Sequence, residues 1–342
     1  MTTVEQPASK RFRGEEGTVV EYSNPAAGDG SGNIRTSSLD QPTMKLTGHK
    51  GSVYALQYDA TGEMLVSGGF DMTCLLWNAS GSCENYNSLE GHKNAILDVK
   101  WSADSEHVVT ASADKNLGWF HANSGTRVKR FQGHTGIVNA VDTAKTSTAP
   151  LVVSASDDKT CRLWDARIRG ETGTLLHDYQ VTSVAFADET HTVYTGGIDN
   201  TIVAWDIRKQ EKLYAMKGHT DTITCLSLHP NGTHVLSNSM DGTIKSWDVR
   251  PFVTGKRHDK TFAGATHNAE KGLLKCAWSA DGKMVTGGSA DRMVHIWDEL
   301  TTEELYLLPG HTGCVNTVVF HPKENIIASG ASDKTIYVGE LG

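Results

Sequence analysis

Four times along this chain a histidine, a hydroxyl, a carboxylate and an indole recur at matching offsets. The sets are His49, Ser67, Asp71 and Trp77; His134, Ser154, Asp158 and Trp164; His177, Thr195, Asp199 and Trp205; and His219, Ser237, Asp241 and Trp247. Ser, His and Asp together are the parts of an activated nucleophile: a base takes the hydroxyl proton and a carboxylate orients the base. The recurrence argues against that chemistry. A hydrolase needs one such set beside an oxyanion hole, not several that each end in an indole with no oxyanion donors in view. Zinc is no better served, since there is no HExxH and no cysteine cluster, and the histidines stand one repeat apart. No cofactor motif stands out. The sets read instead as buried polar groups that satisfy one another and fix the register of the elements carrying them.

Those elements are short strands. The histidines His49, His92, His134, His177, His219, His267 and His311 are 42 to 48 residues apart. Gly-His opens five of the repeats, at residues 48, 91, 133, 218 and 310, with degenerate versions at His177 and His267. Each repeat runs through alternating apolar residues and a Gly/Ser-rich turn with an Asp towards a closing Trp-Asp. This period and signature predict an all-β fold, a seven-bladed β-propeller with one four-stranded blade per repeat. The last sheet lacks an outer strand, and the strand expected from Pro42 to Leu46 supplies it, closing the ring and hiding its edges. The pattern resembles the WD-repeat family. That resemblance implies that Asp accepts from the His ring while the hydroxyl links His to the Trp N–H. Three repeats depart from it: Phe120 replaces the indole in repeat two, Gly287 the hydroxyl in repeat six, and Gly339 the Trp in repeat seven.

Composition narrows the class of partner. With 32 Lys and Arg against 40 Asp and Glu, the net charge is −8, so no global basic footprint for nucleic acid exists. Six cysteines, none in a C-x-x-C pair and most within strand patterns, read as small buried hydrophobes in a reducing compartment. No apolar run of membrane-spanning length occurs, so no membrane partner is expected, nor a small-molecule substrate. Residues 1–40 are rich in Gly, Ser, Glu, Asn and Pro and are expected to be a disordered tail, with the propeller occupying 41–342. Within the tail, Lys10-Arg11-Phe12-Arg13 is a short basic cluster of the kind used for nuclear import or RNA contact. The glycines of 27–32 read as a flexible linker, because no strand precedes them and no helix follows.

In the WD-repeat family the loops flanking the histidine and the Asp share one rim, and three positions per repeat face a partner there. Here those positions include Tyr54, Phe70, Leu97, Ile137, Ile198 and Met240. Large apolar side chains at loop tips mark a protein interface when they cluster. A second candidate is the long connection 249–273, which carries Arg250, Lys256, Arg257, Lys260 and Lys271, the one locally basic stretch of the repeat region.

Several stretches are more particular than the general repeat. They include Gly69-Phe70-Asp71 with Leu75-Leu76-Trp77-Asn78, Gly81-Ser82-Cys83-Glu84-Asn85-Tyr86, Arg127-Val128-Lys129-Arg130, Trp247-Asp248-Val249-Arg250-Pro251-Phe252, and the ending Asp333-Lys334-Thr335-Ile336-Tyr337-Val338-Gly339-Glu340. In these the chain resembles the WD-repeat subunits of the spliceosomal U5 small nuclear ribonucleoprotein, departing in repeat two, where Phe120-His121 stands for Trp-Asp. The resemblance implies a nuclear, non-enzymatic scaffold in pre-mRNA splicing. Its partners would be proteins of that particle: the large central splicing factor, with the GTPase and helicase subunits nearby and RNA contact at most minor. A competing reading is the substrate receptor of a cullin–RING ubiquitin ligase. Its basis is three Trp-Asp-x-Arg boxes that end in Arg167, Arg208 and Arg250.

Overall fold

Alternation of apolar and polar residues, broken every few positions by a turn, can only bury its apolar faces by stacking sheet on sheet. The chain does so seven times. In the computed structural model, described over residues 37–145, 150–187, 191–267 and 272–342 and over the backbone of 10–13 and 19–22, seven antiparallel sheets follow one another round a ring. Blade one shows the plan from the axis outward: strand a is Val53–Tyr58, b is Met64–Gly69, c is Cys74–Asn78 and d is Asn85–Leu89. Strands a of the next six blades begin at Ile96, Val138, Val181, Ile223, Cys276 and Val315.

The ring closes as expected. Strand Thr43–Thr47 pairs with Thr335–Glu340, Lys45 opposite Tyr337, and completes blade seven beside Val315–Phe320 and Ile326–Ala331. Chain ends a ring apart thus share one sheet.

The core is not one body but seven seams. Each buried apolar cluster is built from two neighbouring blades. Val53, Leu56 and Trp77 meet Ile326, Ala328 and Ile336 at the seam of blades seven and one, and Val109, Leu117 and Phe131 meet Val138, Val152 and Trp164 between two and three. The Trp of each set faces the preceding blade, so the network that fixes a blade's register also anchors it to its neighbour.

Every turn between strands b and c holds a residue in the left-handed region directly after the Asp. These residues are Met72, Lys115, Lys159, Asn200, Arg292 and Lys334, with φ between 60° and 73°, and Gly242 in blade five. Blade five has glycine there and blade four Asn200, the types that adopt this conformation most easily; the other five carry larger side chains.

Within the segment expected to be a disordered tail, the backbone of Lys10–Arg13 pairs antiparallel with Val19–Tyr22, and Arg11 pairs with Leu307 on the outer strand Glu304–Leu308 of blade six. That outer strand reads Glu-Leu-Tyr-Leu-Leu, an apolar edge that a paired strand covers. Leu39, further on, is buried in the seam of blades seven and one, and Ser38 donates to Glu324. The glycine-rich 27–32 lies outside the described residues.

Candidate functional site

Blades one, three and five assemble all four members of the set. In blade three, His134 Nδ1 lies 2.8 Å from Asp158 Oδ2 and Nε2 lies 2.7 Å from Ser154 Oγ, while Trp164 Nε1–H donates to Ser154 Oγ at 2.8 Å. Blade one repeats this with His49, Asp71, Ser67 and Trp77, and blade five with His219, Asp241, Ser237 and Trp247. With the Nδ1 proton held by the carboxylate, Nε2 is left to accept the Ser proton, which fixes the chain of donors. Asp158 Oδ2 also accepts from the Thr135 N–H, so it locks the loop entering the blade. Although burial pushes the carboxyls of Asp71, Asp158 and Asp241 up, these hydrogen bonds outweigh it and hold all three below the usual range, Asp241 at about 2. Ser67, Ser154 and Ser237 have no exposed surface, so no substrate carbonyl reaches their hydroxyls.

Blades two and seven keep three members. His92 joins Asp114 and Thr110, with Phe120 buried in the indole place, and His311 joins Asp333 and Ser329, with Tyr337 set edge-on to the imidazole at 4.7 Å.

Blade four corrects the reading of the sequence. Trp205 donates to Thr195 at 2.9 Å as expected, but His177 bonds to neither Thr195 nor Asp199. Its Nε2 is buried without a partner, and Asp199 is exposed and turned to its own Thr201. Burial and the Lys212 charge pull the imidazole down to about 4. The reason lies one residue earlier. All five Gly-His repeats make the His–Asp bond, whereas Leu176-His177 and Thr266-His267 do not. The glycine approaches the indole so closely that a Cβ on Gly133 or Gly218 would lie 3.1 or 3.0 Å from its Cη2 atom. A leucine or threonine has no room for that approach.

Blade six solves the same problem with residues that the sequence reading missed. His267 has both ring nitrogens unpartnered. Asp291, at the Asp position, instead meets His295 Nε2 at 2.8 Å, and His295 Nδ1 meets Glu304 Oε1 at 2.5 Å. The ring stacks on Trp297, whose N–H turns to the Ala263 carbonyl. Gly287 leaves no hydroxyl, and the space a side chain would take is filled by Ile244 of blade five.

On the rim, the loops before strand a and between b and c lie against each other: Phe70 N–H donates to the Ser52 carbonyl, Ile198 to Gln180 and Met240 to Thr222. Phe70 is 60% exposed, Ile198 42% and Ile137 36%, while Tyr54, Leu97 and Met240 are half-buried. Tyr179 and Met72, not among the expected positions, add exposed area on the same loops. The rim is richest at the entry to blade four, where Tyr179, Ile198 and Leu176 at the end of blade three's outer strand are all exposed around the unmade His–Asp contact.

The basic connection is largely neutralised internally. Arg250 forks onto Asp248, Arg257 donates to the Asp248 and Arg250 carbonyls and lies 4.0 Å over the Tyr214 ring, and Lys260 pairs with Glu299 at 2.6 Å. Lys256 is exposed, and Lys271 lies outside the described residues. Of the Trp-Asp-x-Arg boxes, Arg167 and Arg250 grip their own box aspartate and Arg208 turns to His191.

Seven blades, five of them locked by a His–Asp–hydroxyl network, with apolar side chains at the loop tips, define a WD-repeat propeller, an interaction platform. The WD domain, G-beta repeat model matches residues 40–78, 83–119, 125–165, 171–206, 210–248, 260–298 and 302–338. Among curated proteins, the U5 small nuclear ribonucleoprotein 40 kDa protein of Dictyostelium discoideum is 49% identical over 91% of this chain and 87% of its own. The human protein of the same name is 44% identical over 95% and 91%, and the pre-mRNA-splicing factor cwf17 of Schizosaccharomyces pombe 40% over 97% and 95%. The chain belongs to this WD-repeat family of U5 small nuclear ribonucleoprotein 40 kDa proteins.

Proposed function

We propose that the protein is a non-enzymatic scaffold of the U5 small nuclear ribonucleoprotein, acting in pre-mRNA splicing in the nucleus. The observation carrying this reading is the identity to the 40 kDa U5 proteins over nearly the whole length of both chains. Ring geometry supports the scaffold part, because a rigid closed fold offers two rims and a side wall to several proteins at once. The partners of this reading are the large central splicing factor of the particle, with the GTPase and helicase subunits nearby. The rim around Phe70, Ile137 and Ile198 is the docking face, and Tyr54, Leu97 and Met240 line its base.

Affinity purification of the tagged chain from nuclear extract tests the reading. U5 small nuclear RNA and the particle's large proteins should be recovered. Phe70→Asp with Ile198→Asp should lose them while thermal unfolding stays near wild type, since both side chains are exposed. Recovery of a cullin and its adaptor without that RNA would overturn the reading in favour of a ligase receptor. Equal loss of stability in the double variant would move the docking face elsewhere.

A further inference from the structure

The propeller axis holds a feature that neither the repeat networks nor the rim explains. The innermost strands surround a funnel of about 440 Å³ whose lining includes Lys100, Asp142, Ser227 and Trp278 and, on its wall, Cys225 and Cys276. Cys225 is on strand a of blade five and Cys276 begins strand a of blade six, so the two face each other across a seam. Each sulfur lies against the other residue's backbone: Cys225 Sγ is 3.8 Å from the Cys276 carbonyl oxygen, and Cys276 Sγ is 4.0 Å from that of Cys225. This reciprocal contact places two free thiols in one buried seam, each against the other residue's backbone.

Their surroundings are charged. Lys275, directly before Cys276, reaches across the channel to Asp98 of blade two at 3.3 Å, and Lys100 stands 4.0 Å from Asp142. Burial alone would strip the Lys100 charge, but Asp142 and Asp98 outweigh it. The neighbouring Cys276 side chain and the Lys275 and Lys100 charges outweigh burial and lower the Cys225 thiol, while burial raises that of Cys276. The two lysine charges beside it favour Cys225 as the attacking sulfur. Cys74 and Cys161, each buried in an apolar seam, are pushed up instead.

We propose that Cys225 and Cys276 form a thiol-oxidation site in the channel, at which a peroxide drives a reversible disulfide between blades five and six. The Cys225 thiolate attacks the peroxide O–O bond; an S–O bond forms, and the departing hydroxide takes up the proton Cys225 had released, giving water. The Cys276 sulfur then displaces the remaining oxygen. The S–S bond forms, the S–O bond breaks, and a second water leaves with the Cys276 proton. Two thiols lose two electrons and hydrogen peroxide accepts them. The bridge would fasten blade six, the blade whose His267 makes no contact with its Asp, to the fully networked blade five.

Brief exposure of the purified full chain to hydrogen peroxide, then alkylation and peptide mapping without reductant, tests this. A linked peptide pair carrying Cys225 and Cys276 should form, disappear with dithiothreitol, and be absent in Cys225→Ser and Cys276→Ser. Cys276→Ser should accumulate a dimedone-trapped sulfenic acid at Cys225. In the native wild type, Cys225 should be consumed at least about tenfold faster than Cys74 or Cys161, following thiolate character. Absence of the linked pair in folded protein, or consumption of Cys225 no faster than Cys74, would overturn the proposal.

Discussion

Replacing His295 with glutamine should change how the stability of this protein depends on alkaline pH, not merely lower it. The ring is 4% exposed and both its nitrogens face carboxylates, Asp291 and Glu304, so both must donate and the imidazole must carry a proton. Burial opposes that charge, but the two carboxylates outweigh it and raise the group from 6.5 to about 9. At about 1.4 kcal/mol per unit, the shift corresponds to about 3 kcal/mol. The sign follows from the direction. Below 6.5 the folded and unfolded states both hold the proton, and the contribution is fully present. Between 6.5 and about 9 only the folded state holds it, so stability falls, and above about 9 the contribution is gone. Urea unfolding of wild type and His295→Gln in one buffer series from about pH 6 to about pH 9.5 reads the effect. The free-energy gap between them should shrink by about 3 kcal/mol across the series, and titrations common to both cancel in the difference. A gap that stays constant would refute the charged, doubly paired histidine.

Three further outcomes follow from the same networks. Asp241→Ala leaves His219 without its acceptor and should cost about 3 kcal/mol, whereas Asp199→Ala in blade four should stay within about 0.5 kcal/mol, both read by urea unfolding. His177 is held neutral, with a folded value near 4 below an ordinary 6.5, so the unfolded state takes up the proton first and stability falls as pH drops through that window. His177→Phe should flatten this slope in thermal melts at about pH 5 and pH 7, because phenylalanine has no proton to gain. Lys115→Gly relieves a left-handed backbone at φ 70° and should stabilise blade two by about 0.5 kcal/mol in urea unfolding, after the entropy that glycine loses on folding.

Much of the architecture is legible in the sequence because it is local and repeated. A period near 43, Gly-His at one end and Trp-Asp at the other set strand order, blade number and the closing strand, since each unit can bury its faces only against copies of itself. The networks of blades one, three and five could be read from offsets alone because all four residues sit on neighbouring strands at fixed register. Even the failure in blade four leaves a sign in the chain: Leu176 and Thr266 stand where five other repeats have glycine.

What tertiary structure decided are contacts between residues whose separation carries no signal. Glu304 stands opposite Trp297 on the next strand and reaches diagonally to His295. In the basic connection, Lys260 is paired by Glu299 and Arg257 is held over the Tyr214 ring, side chains distant in sequence. Lys275 found Asp98, and Cys225 found Cys276, across a channel and a seam that exist only once seven sheets have closed. Sequence by itself determined the repeating unit, because strand period and turn chemistry act over a few residues. The ring decided which charges are neutralised, which histidine carries a proton and which thiols meet, because electrostatics and burial act through space.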